Sequence, residues 1–178
     1  MTQRFAAAAV AVLALLAAAP ASAKTLKFTA ALSGDKMPTM TGSKASGQAV
    51  ILVDTDAQTV GVSLDVKGLT VEKLSSGLRG TPMGPIHLHI YGGHSHGAND
   101  DAALVFPLPY GPTYAPTPEG FKVGAPGVPY ATGAKLVNTK ATFDEFVASL
   151  QTGRIVMNIH TNVQPDGEIS GDVVPAQS

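Results

Sequence analysis

The sequence predicts an all-β protein, an antiparallel β-sandwich carrying one short helix and one long loop rich in proline and glycine. Three observations carry this prediction. Short runs of alternating apolar and polar residues recur along the chain, separated by clusters of Gly, Pro, Asn and Asp. Strands do not alternate with helices as a parallel βαβ fold requires. A single stretch has apolar residues at helical spacing.

Composition narrows the function classes. The 178 residues hold 12 Lys+Arg against 13 Asp+Glu, a formal net charge of −1. No basic field draws in nucleic acid or anionic lipid. Cysteine is absent, so packing alone must hold the fold. Any metal site must then use nitrogen and oxygen donors, with methionine sulfur as the soft alternative. Blue-copper chemistry, which needs a thiolate, is excluded. Tryptophan is also absent, which argues against a broad stacking surface for bases or sugars.

Residues 1–23 read as a secretory signal peptide. Arg4 supplies the positive start, residues 5–19 the apolar run, and Ala21-Ser22-Ala23 the cleavage site. A membrane anchor is the competing reading, but the run is short for a span and ends in a cleavage motif. Residues 24–178 then form one periplasmic or secreted domain with no membrane span after cleavage.

The elements follow in order. Residues 25–32 alternate as a first strand, and 33–47 are a loop of Gly, Ser, Thr and Lys. Residues 48–53 and 59–66 are strands of a hairpin, turned by Asp54-Thr55-Asp56-Ala57-Gln58. Gly68 ends that pair, and 69–78 is a connection with room for a short strand. Residues 85–91 and 102–106 are two further strands. Residues 107–133 hold seven of the thirteen prolines and five glycines. Proline at that density forbids a central strand or a helix interior, so the segment is expected to be a surface loop, with a substrate lid as the alternative. Thr142 caps the one expected helix, with Glu145 completing a capping box. Phe143, Phe146, Val147 and Leu150 form its apolar stripe, and Gly153 stops it. Residues 154–161 and 168–174 are the last strands, joined by a tight turn at Gln164-Pro165-Asp166-Gly167. Neither an internal repeat nor a second domain is visible.

Four of the five histidines fall in Ile86-His87-Leu88-His89-Ile90-Tyr91-Gly92-Gly93-His94-Ser95-His96-Gly97. In a strand, side chains alternate with a period of two. Ile86, Leu88 and Ile90 facing the core turn His87 and His89 to the other side. Downstream, Ile155, Met157 and Ile159 are the apolar set, while Val156, Asn158 and His160 share the opposite face. If the two strands are neighbours, three imidazoles meet on the outer face of the sheet. His-x-His spacing puts two Cα atoms about 6.5–7 Å apart, close enough for two rings to grip one ion at about 2.0–2.1 Å. Imidazole suits Cu, Zn, Ni and Fe rather than Mg or Ca, and copper is favoured over zinc. An isolated histidine on a strand face is ordinarily a half-exposed polar residue; the bunching is what points to metal. His94 and His96, in a glycine-flanked loop, are either further ligands, a second site or a rim to the first.

Weaker candidates surround these. Met37 and Met40 have the spacing of soft Cu(I) donors, or fill gaps under a loop. Asn99, Asp100 and Asp101 are either hydrogen-bond partners for a ligating histidine or a solvated turn. Asn158 is placed to hydrogen-bond a ligand. No residue is assigned a catalytic role, since neither a hydrolytic triad nor a glycosidase carboxylate pair is set beside a histidine.

These pieces together resemble the CHRD domain, the module repeated in chordin and found alone in many exported bacterial proteins. The likeness rests on Phe28-Thr29-Ala30-Ala31-Leu32-Ser33-Gly34, Gly47, Ile86-His87-Leu88-His89 and residues 150–153. It is densest in Asn158-Ile159-His160-Thr161 and Pro165-Asp166-Gly167-Glu168-Ile169-Ser170-Gly171. The resemblance implies an antiparallel β-sandwich of Greek-key type and matches His87, His89 and His160 to the family's histidine positions. The His94-Ser95-His96 pair and the length of 107–133 depart from the family pattern. The cysteine-rich repeats that accompany chordin's growth-factor binding are missing, so that activity is not expected. A looser likeness, through His-x-His on a strand, is to the β-sandwich of Cu/Zn superoxide dismutase.

Three functions fit these observations. The first is an exported copper-binding protein for metal buffering, delivery or tolerance, with an envelope partner meeting the 107–133 segment. The second is a copper-dependent redox enzyme akin to superoxide dismutase, using an open coordination position. The third is a non-catalytic extracellular binding or matrix module in which the histidines are incidental. Since imidazole must be neutral to ligate, metal affinity is expected to fall below about pH 6.

Overall fold

The computed structural model describes residues 24–36, 38–92 and 102–177. The alternating N-terminal runs form a meander of β1 (Thr25–Ser33), β2 (Ser46–Asp54) and β3 (Thr59–Lys67). Their inward set, including Phe28, Ala30, Leu32, Ile51, Val53, Val62 and Leu64, is buried. The β2–β3 turn is held by Asp54, whose Oδ1 accepts from the amides of Asp56 and Ala57 at 2.9 and 2.8 Å. The remaining strands are β4 (Ile86–Tyr91), β5 (Ala102–Leu108), β6 (Tyr114–Thr117), β7 (Gly120–Pro129), β8 (Ile155–Ile159) and β9 (Ile169–Pro175).

All nine strands belong to one antiparallel sheet in the order β5-β4-β8-β9-β1-β2-β3-β7-β6. The all-β expectation holds, while the hydrogen bonding runs through a single sheet rather than two. That sheet must curl. Laid flat, nine strands would span about 38 Å. Yet β5 at one edge is joined to β6 at the other by residues 109–113, whose reach is about 20 Å. The Tyr114 hydroxyl on β6 accordingly donates to the Leu108 carbonyl on β5 at 2.6 Å. Curling lets strands from both halves share one continuous apolar core, with Phe28, Ile51 and Val62 joining Ile86, Leu88 and Met157.

The 107–133 segment is not a loop. It contributes the end of β5, all of β6 and β7, and the start of α2 (Tyr130–Leu136). Its prolines sit where a sheet tolerates them. Pro107 and Pro116 lie in the edge strands β5 and β6. Pro126 falls beside the register shift between β3 and β7, where pairing skips from Ala125 to Val128. Proline density therefore marked edges and a bulge. Residues 69–78 form a 3-10 turn (Val71–Lys73) and a short α1 (Ser76–Arg79) instead of a strand. Those two and α2 are helical pieces beyond the one expected.

The expected helix is α3 (Phe143–Gln151). Its capping box forms as the sequence indicates: the Thr142 hydroxyl accepts from the Glu145 amide, and the Glu145 carboxylate accepts from the Thr142 amide. Phe146 and Leu150 are buried, and Phe146 stacks on Tyr130 with centroids 4.8 Å apart. Gly153 reverses the chain at φ 68°. Replacing Thr142 with Ala removes the cap, and chemical denaturation should show a loss of about 1 kcal/mol.

Candidate metal centre

The two histidine-bearing strands are direct neighbours. β4 pairs antiparallel with β8, setting His87 opposite Asn158, Leu88 opposite Met157 and His89 opposite Val156. His160 lies one residue beyond β8, but its amide donates to the Pro85 carbonyl at 2.9 Å and so carries the ladder one step further. Period-two alternation then puts His87, His89, Asn158 and His160 on one face. Their ring centroids lie 4.7 Å apart for His87–His160, 5.6 Å for His87–His89 and 6.3 Å for His89–His160. One ring nitrogen from each comes within 4.8 Å of the others.

This face is not an open outer surface. His87 is 4% exposed and His160 8%, while Val156 and Asn158 beside them are also buried. The segment after β1 is tied across the neighbouring strand β9. Ser170, the Cα partner of Asn158 on β9, exchanges a hydrogen bond with the Thr39 hydroxyl at 3.0 Å and donates to the Lys36 carbonyl at 3.1 Å. Glu168 fastens the same segment to the end of β8. One of its carboxylate oxygens accepts from Ser43 and the other from Thr161, both at 2.7 Å.

Two backbone carbonyls, which sequence reasoning missed, fix the rings. A carbonyl can only accept, so the imidazole nitrogen facing it must carry the proton. His87 Nε2 donates to the Gly84 carbonyl at 2.6 Å, leaving Nδ1 with a free lone pair. His160 Nδ1 donates to the Pro165 carbonyl at 2.8 Å, leaving Nε2 free. Such contacts fix tautomer and orientation in metal-binding histidines. Both carbonyls come from glycine-dependent turns. Gly84 has φ 67° and lies so close to the backbone of Leu108 and Pro109 that a Cβ would collide with them. Gly167 closes the Gln164–Gly167 turn, its amide donating to the Gln164 carbonyl at 3.1 Å. The signal for these groups was present only as turn chemistry before and after the strands.

Burial sets the charge state. It pushes His87 down to about 4, with repulsion from His160 adding and the Gly84 hydrogen bond opposing. It pushes His89 down to about 3, helped by His87 and His160. His160 is also lowered by burial, against its bond to Pro165 and the charge of Asp166. At neutral pH all three are uncharged donors. His160 Nε2 and both ring nitrogens of His89 are buried without a hydrogen-bond partner. Unpaired buried nitrogens are costly, and neutral imidazoles converging on one point fit a transition ion. His94, His96, Met37, Asn99, Asp100 and Asp101 lie outside the described residues. Met40 is 62% exposed and fills no gap.

A fold of this kind, with His-x-His on one strand and Asn-x-His leading into a Pro-Asp-Gly turn on its neighbour, defines a sequence class. The CHRD domain family model matches residues 28–173, and the chain belongs to that family. Neither the curated proteins nor the solved structures contain a match. Among the described residues, no helix is long and apolar enough to cross a membrane.

The lowered histidines link stability to pH. Between their unfolded value near 6.5 and the folded values of about 4 and 3, the unfolded chain binds more protons than the folded one. Stability is therefore fully present above pH 6.5 and drains away as pH falls. For His87 alone the loss by pH 4 is about 3 kcal/mol. Urea denaturation of the metal-free protein across pH 7 to 4 should show this decline, and His89→Leu should make it shallower. A profile that stays level down to pH 4.5 would contradict neutral burial.

Proposed function

We propose that the protein binds a transition ion, copper in preference to zinc, through His87, His89 and His160. The observation that supports this most is the convergence of three neutral imidazoles, one ring nitrogen from each within 4.8 Å of the others. Among the described residues, no carboxylate joins that cluster. An all-imidazole set suits copper or zinc rather than hard oxygen-seeking ions. His94 and His96, which follow β4 directly, are proposed to assist. The signal-like pattern of residues 1–23 supports export to the periplasm or beyond, with buffering, delivery or tolerance of the ion as the role. Delivery implies an envelope partner, which would meet the folded β6–β7 hairpin and α2 where a free loop was expected.

Neutral burial alters the expected pH response. The imidazoles need shed no proton to bind at pH 7, so affinity should begin to fall only at a pH below that of an ordinary imidazole. Calorimetric titration of metal-free protein with Cu(II), Cu(I) and Zn(II) tests the reading. One ion per chain, tighter than about micromolar, is the expected result. His87→Ala or His160→Ala should each weaken it by at least about 100-fold, more than loss of a hydrogen-bonded neighbour costs. Absence of one-to-one binding by the folded protein would end the proposal.

A further inference from the structure

Among the described side chains, five buried polar atoms lack a hydrogen-bond partner, and four of them share one face of the β4–β8 pair. Three are ring nitrogens: Nε2 of His160 and one nitrogen of His89 would face the ion, and the second His89 nitrogen carries the proton of the neutral ring. The fourth, Asn158 Oδ1, has no such account. Asn158 is 3% exposed. Its backbone stands directly opposite His87 on β4 and Ser170 on β9, and His160 follows two residues on along the same face. Directly opposed residues hold their Cβ atoms about 4.5–5.5 Å apart. The Ser170 hydroxyl is already engaged with Thr39 and the Lys36 carbonyl.

A buried amide oxygen left unsatisfied carries the full cost of its lost hydration. It can accept hydrogen bonds but cannot donate them. Three nitrogen donors leave a transition ion with an open position, which solvent ordinarily fills. A solvent molecule on a cation is a strengthened donor, because the ion draws electron density from its O–H bonds. The acceptor without a donor stands on the same sheet face as the three imidazoles, directly opposite His87 in the register.

We propose that Asn158 is a specificity-determining residue of this centre, its Oδ1 accepting a hydrogen bond from the small protic oxygen ligand on the ion. The position thus takes water, hydroxide or hydroperoxide. It disfavours aprotic anions such as azide, which turn lone pairs toward the amide oxygen. This inference rests on the metal reading above.

The test compares copper-loaded wild type, Asn158→Leu and Asn158→Asp, titrating each with azide and following the azide-to-copper charge-transfer absorption. Copper affinity is measured in parallel by competition with a chelator. Asn158→Leu should hold copper within about threefold of wild type and bind azide about tenfold more tightly, the worth of one hydrogen bond. Asn158→Asp should bind azide at least about tenfold more weakly, since a carboxylate is a stronger acceptor and repels the anion. The metal-free Asn158→Leu protein should melt at or above the wild-type temperature, because an orphaned carbonyl has been removed. Equal azide affinities in wild type and Asn158→Leu would overturn the role of Asn158 alone. So would a folded Asn158→Leu that loses copper about 100-fold, which would make the amide a direct ligand. A marked drop in its metal-free melting temperature would do the same, by showing that the amide serves the fold. A wild type that binds no copper would remove the metal reading and this inference together.

Discussion

A one-residue slip between β4 and β8 would turn histidines to the core and isoleucines to the outer face, because side chains alternate with a period of two. Several contacts forbid that slip. The His160 amide is bound to the Pro85 carbonyl, and the His160 carbonyl accepts from Ser75 at 3.0 Å. Leu74 bridges to Thr161 just beyond. Ile86, Leu88, Met157 and Ile159 are fully buried on the core side. Apolar burial and backbone pairing thus specify the same register, and the imidazole cluster follows from it.

The site combines strong constraint with weak satisfaction. Two rings are pinned by backbone carbonyls whose own positions depend on turns at Gly84 and Gly167. His160 Nε2 and both His89 ring nitrogens are buried without a hydrogen-bond partner. A protein that needed these residues only for packing would lose little by exchanging them for apolar ones, since an unsatisfied buried polar group costs stability. Retaining several on one face makes physical sense if a cation and its ligand complete the set. The Thr39–Ser170 and Ser43–Glu168 contacts tie the chain after β1 to β9 and its approach, beside the site, and burial of the rings keeps the imidazoles neutral.

The curl of the sheet serves the same end from a distance. Because β5 and β6 are sequential yet lie at opposite edges, closing the gap between them brings α2 and the aromatic cluster of Phe106, Tyr130 and Phe146 across the seam. β4 is then an interior strand, flanked by β5 and β8. A histidine pair on an edge strand would have had neighbours on one side only.

Local chemistry made much of this legible in the sequence. The alternation of residues 25–66, the Thr142–Glu145 capping box and the Gln164–Gly167 turn are short-range patterns, and each folds as its spacing dictates. The faces of His87, His89 and His160 followed from period two, and their meeting needed only that the two strands be neighbours. What the sequence could not convey depends on residues far apart in the chain. The prolines of 107–133 look like loop until the sheet order assigns them to edges and a bulge. The outer face reads as exposed until the assembled fold buries His87 and His160, and that burial carries the imidazoles below their ordinary pKa. Strand faces are set by the backbone's own period, whereas dielectric and edge position are properties of the assembled fold.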